Sequence, residues 1–208
     1  MKLLLSFALL ASPMIADESY YTPRAMSCMK EQVCTVGVDK LNASDYTGEA
    51  NNIITNLDEI GVSVYNAAPE YFIENYRAVY FADKNAVYIN KKYINGDGDL
   101  TFLQILRHEG WHAAQDCMGG GMHNSDLKSI LSHEVIPDEI TKETFARYGF
   151  DPTVVRIERE AVWAMYEPDM TNDVLKACNS DVPIWETYFP PQRTWQYLYW
   201  NGHIDEGI

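Results

Sequence analysis

No segment after residue 16 is long and apolar enough to span a bilayer, so nothing in the later sequence points to a membrane-embedded helix. Positive charge is scarce: 16 Lys and Arg stand against 30 Asp and Glu in 208 residues, a formal net charge of −14. A surface of that sign repels phosphate backbones and anionic lipids, which excludes nucleic acid as an expected partner. Four cysteines are present but no Cys-x-x-Cys pair, so a cysteine-built zinc site is not expected. Internal repeats and low-complexity tracts are also missing, which removes solenoids and disordered tails from consideration. What remains, at 47% hydrophobic and 12% aromatic residues, is the composition of a folded chain with a substantial core.

The N-terminus carries its own signal. Lys2 precedes a nearly unbroken apolar run, Leu3 to Leu10, and small residues follow at Ala11, Ser12 and Ala16. This is the pattern of a signal peptide over residues 1–16, with export to the periplasm or the exterior. Residues 17–208 are then expected to form one domain, with 15 basic against 30 acidic residues. An even number of cysteines in an exported chain leads us to expect two disulfides. Three pairings are possible. Cys28–Cys34 is local and easily closed, which leaves Cys117–Cys178.

Residues 17–47 read as a polar, irregular arm. Ile53, Ile54, Leu57 and Ile60 share a helical face that Gly61 would cap, and Val62 to Tyr65 reads as a strand. Arg77–Phe81 and Ala86–Asn90 are β-prone runs separated by a short turn, a hairpin signal. The Asn95–Asp99 loop alternates oxygen-bearing residues, but the twelfth position of a calcium loop starting there is Leu106, not Glu. A helix cap is the better reading. A helix is expected over Leu100–Cys117, stopped by Gly119-Gly120-Gly121. Further helices are expected from near Ser125, over Pro137–Tyr148, and from an Asp151 cap with Pro152 at its first position to Glu167. The C-terminal aromatics, Trp185 to Trp200, read as core. Helices outnumber strands and the strands come early, so the fold class is α+β.

Within the Leu100–Cys117 helix lies His108-Glu109-Gly110-Trp111-His112. Residues four apart on a helix share a face, so both imidazoles can bind one Zn²⁺ at about 2.0–2.1 Å. Glu109, one step round, stands beside such an ion and not on it. There it is placed as general base for a metal-activated water. A catalytic zinc site needs a third protein ligand and an open fourth position. A metzincin would place His at 118 and Gly at 115; the chain has Met118 and Gln115. The candidates are His123, Glu134 and the pair Glu158/Glu160. Glu158 has Val154, Val155, Ala161, Val162 and Met165 on its face, and a carboxylate among apolar residues demands a partner. Glu160 shares its face with Arg156 and Glu167 and reads as a surface residue. Glu134, preceded by Leu127, Ile130 and Leu131, remains a rival.

The two stretches His108–His112 and Glu158-Arg159-Glu160-Ala161 resemble those of the gluzincin metallopeptidases. The resemblance covers about half the chain. It implies a zincin-like fold in which a small sheet with a β-hairpin packs on the motif helix and its edge strand pairs with an extended substrate. It also implies metal ligands His108, His112 and Glu158 with Glu109 catalytic. One departure is clear: many gluzincins carry Asp four residues after the ligand Glu to support a zinc-bound histidine, and that position is Val162. Asp116, four residues after His112, is a substitute to weigh against an ordinary helix-end acid. His123, His133, Tyr166 and Tyr188 are candidate donors to a tetrahedral intermediate. The expected function is therefore a secreted zinc-dependent peptidase acting on peptides or proteins. The competing readings are an exported, non-catalytic zinc- or partner-binding protein and a zinc hydrolase of another bond, such as a cell-wall amide.

Overall fold

The computed structural model describes residues 36–72, 76–94, 99–119, 122, 126–131 and 136–180. The expected signal peptide, the Cys28–Cys34 pairing, the 95–98 loop, His123, His133, Glu134, Tyr188 and the C-terminal aromatics fall outside these residues. The described residues form an α+β fold, mostly helical, with a small mixed sheet.

The sheet has four strands: β1 (Val38–Lys40), β2 (Ser63–Ala67), β3 (Ala78–Phe81) and β4 (Ala86–Asn90), in the order β1-β2-β4-β3. β1 runs antiparallel to β2, β2 parallel to β4, and β3 antiparallel to β4. The hairpin expected from the sequence is therefore present. Its turn closes at Asn85, which takes a left-handed conformation at φ 47°. Strand alternation divides the side chains between two faces. Val64, Ala78, Tyr80, Val87 and Ile89 face the main core, whereas Phe81, Ala86 and Tyr88 join a smaller cluster on the other side. β4 lies centrally with both faces covered, and all five of its residues are buried.

Among the described residues there are five α-helices, and the first four follow from clear local signals. α1 (Gly48–Glu59) buries Ile53, Ile54 and Leu57. It ends where Gly61, at φ +85°, supplies the left-handed turn that a side chain would resist. α2 (Leu100–Met118) starts at Asp99, whose carboxylate accepts from Thr101 N at 2.8 Å. α3 (Asp138–Tyr148) stops at Gly149, and α4 (Pro152–Tyr166) is capped by Asp151 on Thr153 N and Val154 N. α5 (Met170–Asn179) occupies a stretch to which the sequence assigns no element. It follows α4 after a turn of only three residues, and its Met170, Val174 and Leu175 are wholly buried.

α2 is the central element. It packs on α4, α5, α1 and β3, and every residue from Ile105 to Asp116 is buried. Two tethers fix it. The guanidinium of Arg107 donates to both carboxylate oxygens of Glu49 on α1, Nε to Oε1 at 2.9 Å and Nη2 to Oε2 at 2.6 Å. Near the other end, the expected disulfide joins Cys117 to Cys178 on α5.

Two expectations need correction. The arm over 17–47 is not wholly irregular, because Val38–Lys40 is a strand and Ala43–Asp45 a 3₁₀ turn. The helix expected near Ser125 is not formed in residues 126–131. Their amides have other acceptors: Lys128 N donates to the Gln115 carbonyl at 3.0 Å, and Ile130 N and Leu131 N donate to the Glu160 carboxylate at 2.9 and 3.0 Å. Those bonds replace the i→i−4 ladder.

Gly110 shows how closely α2 and α5 approach. A Cβ there would lie 2.8 Å from Thr171 Cγ2, and Thr171 is held by its hydroxyl donating to Arg107 O at 2.8 Å. Gly110→Ala should therefore destabilise the fold by about 1–3 kcal/mol despite alanine's better helix propensity. Urea unfolding of the two proteins measures this; equal or greater stability of the alanine variant would refute the close approach.

Candidate metal centre

α2 and α4 meet at three side chains. His108 and His112 project from one face of α2, and Glu158 projects towards them from α4. His108 Nε2 and His112 Nε2 are 3.2 Å apart, and Glu158 Oε2 lies 3.3 Å from the first and 3.5 Å from the second. These three atoms form the group that could hold a metal ion among the described residues. The spacing is informative. Ligands at about 2.0–2.1 Å from a tetrahedral ion lie about 3.3–3.4 Å from one another. The triangle matches that separation on all three sides. Glu158 Oε2 is also buried and faces only the two imidazoles, so a protonated histidine or a metal cation must offset its burial.

The electrostatics agree with a coupled site. Burial pushes the Glu158 carboxyl up, but the two adjacent histidines outweigh it and hold the pKa well below the usual carboxylate range. Burial opposes charge on His112, yet Glu158 outweighs it and raises His112 to about 9. Glu109 sits one step round α2, close enough to feel both histidines and Glu158. Burial raises its pKa; the histidines, and to a lesser degree the backbone of Tyr80 on β3, draw it back.

The support for His112 comes from a residue the sequence analysis missed. His112 Nδ1 lies 2.8 Å from Gln115 Oε1, and Gln115 Nε2 donates to Ile157 O at 3.0 Å and to Glu160 Oε2 at 2.9 Å. The signal was available: Gln115 is three residues from His112, on the same face.

Glu160 is not a surface residue. It has no exposure and accepts from Trp111 Nε1, Gln115 Nε2, Ile130 N and Leu131 N. Its face includes Arg156 and Glu167, but also Ile157, Trp163 and Ala164, and the apolar three decide its position.

Asp116 does not support His112. It is fully buried and accepts the Tyr80 hydroxyl proton at 2.7 Å, joining α2 to β3. It is thus neither of the alternatives weighed for it. The Tyr166 hydroxyl donates to Glu143 at 2.6 Å. Tyr148, on α3, lays its ring nearly parallel to that of His108, at 6.5 Å between centroids and 13° between planes.

Searches of protein-family models, curated proteins and solved structures returned no match. The functional reading thus stands on the motifs and on the geometry of the site itself.

Two outcomes test the centre. Glu158→Ala should retain no stoichiometric metal after dialysis, while the wild type does. The proton held by His112 up to about pH 9 must leave when a metal binds, so affinity should rise about tenfold per pH unit below that value. Competition with a chromophoric chelator between pH 6 and 8 gives the slope, and a flat profile would remove His112 from the ligand set.

Proposed function

We propose that the chain is an exported zinc-dependent peptidase of the gluzincin type with a zincin-like fold. The observation that carries this reading is the His108–His112–Glu158 triangle at 3.2–3.5 Å with Glu109 buried beside it. A structural zinc site uses four protein ligands and has no need of an adjacent base, whereas a catalytic one keeps a position open. Three ligand groups among the described residues, with a spare carboxylate next to them, favour the catalytic kind.

Zinc bound there supplies Lewis acidity, lowering the pKa of water towards about 7 and polarising a carbonyl. The chain's own residues do the rest. Glu109 takes a proton from the attacking water as the new C–O bond forms at the peptide carbonyl. It returns that proton to the amide nitrogen as the C–N bond breaks. A carboxylate whose pKa is raised by burial is suited to both halves of that transfer. β3 lies at one end of the described sheet and packs beside α2, a position from which an edge strand can pair with an extended peptide.

Export is favoured by the apolar N-terminal run and by the Cys117–Cys178 disulfide, which suits an oxidising compartment. Among the described residues no helix is long and apolar enough to cross a membrane.

Glu109→Gln should keep the wild-type zinc content and lose about 10²–10⁴-fold in kcat/KM on a peptide found by library digestion. A wild-type protein with one zinc per chain that cleaves nothing in such a library would favour the non-catalytic, metal-retaining reading.

A further inference from the structure

We infer that Gln115 and Glu160 are positioning residues that fix which ring nitrogen of His112 is free to bind metal. The inference rests on the metal-site reading above and adds to it the device that orients one ligand.

His112 can ligate through Nε2 only if Nδ1 carries the ring proton. Nδ1 faces Gln115, and a glutamine amide offers either an acceptor or a donor. With the oxygen towards the ring, Nδ1–H donates to it and Nε2 presents its lone pair to the other ligands. With the amide nitrogen towards the ring, Nδ1 becomes the acceptor and the proton moves to Nε2, where it blocks coordination.

The surroundings decide between these orientations. Gln115 Nε2 lies 3.0 Å from Ile157 O, a carbonyl with no proton to give, and 2.9 Å from Glu160 Oε2, an oxygen already facing the N–H groups of Ile130 and Trp111. Turning the amide over would set its oxygen against both. Gln115 therefore has its oxygen towards His112, 2.8 Å from Nδ1.

Glu160 is held just as firmly. Oε2 also accepts from Ile130 N at 2.9 Å and Trp111 Nε1 at 3.2 Å, and Oε1 accepts from Leu131 N at 3.0 Å. Every one of these donors is an N–H that cannot reverse its role. The direction of the hydrogen bonds is thus set at Glu160, passed through one amide and delivered to the imidazole. Outer partners of metal-bound histidines typically contribute 10–100-fold in metal affinity.

Zinc affinity of the full chain, measured by chelator competition, tests the relay together with unfolding curves and ring-proton NMR of the zinc-loaded protein. Gln115→Leu should weaken zinc binding 10–100-fold, and the His112 Nδ1–H, slow to exchange in the wild type, should exchange fast. Glu160→Gln should weaken binding too, but not further in a Gln115→Leu background, because its effect passes through the amide. A purely structural Glu160 would instead shift unfolding in both backgrounds and leave the zinc affinity of the folded protein unchanged. Unchanged affinity in Gln115→Leu, or a Glu160→Gln effect of equal size in both backgrounds, overturns the relay. Should Glu160→Gln fail to fold, Gln115→Leu and the ring proton decide alone. Failure of the wild type to bind zinc would instead overturn the metal reading beneath it.

Discussion

A carboxylate taken out of water costs several kcal/mol unless donors or cations replace its hydration. α4 takes two of them, Glu158 and Glu160, into contact with α2, and they are satisfied in opposite ways. Glu160 is met by four N–H groups drawn from the α2 side chains Trp111 and Gln115 and from the backbone of Ile130 and Leu131. Glu158 Oε2 is left without a hydrogen bond and aimed at two imidazoles. The first arrangement docks α4 on α2 in one register. The second lies two residues away on the same helix, so a register shift that moved one carboxylate would move the other.

This division explains what could be read from the sequence and what could not. His108, Glu109 and His112 were legible because helical spacing alone places them, and a sustained apolar pattern from Leu100 made the helix secure. Glu158 was legible because apolar neighbours surround it on its own helix. Glu160 was not, because the decision lay in Trp163 and Ala164 packing inward while Arg156, also on its face, stayed at the surface. The segment 126–131 was misread for a related reason. Its apolar residues fit a helix, but a buried carboxylate across the fold offered its amides better acceptors, and no local pattern announces that. α5 escaped notice because Pro168 marks a stop, and a helix restarting three residues later leaves little room for punctuation.

The position at which many gluzincins carry a supporting Asp is held here by Val162, which is completely buried in the core. An acid there would be a third buried carboxylate on α4. The chain instead draws support for His112 from α2 itself, one turn beyond the histidine. His112 and Gln115 then belong to the same rigid element, which the Arg107–Glu49 pair anchors near its middle and the disulfide at Cys117 near its C-terminal end. The contact itself lies within α2, and α4 enters only by turning the Gln115 amide through Ile157 O and Glu160.

The neutrality of that support also matters. Glu158 and Glu109 already place two carboxylates around the site, enough to balance a divalent ion. A charged partner on His112 would add a negative charge to the pocket, and the extra repulsion would raise the Glu109 pKa further. Gln115 presents an acceptor to the imidazole but no charge, and the carboxyl that orients it, Glu160, is one amide more distant and met by four N–H donors. A neutral amide can thus orient the His112 ring without adding the repulsion that an acid in the same place would impose on Glu109.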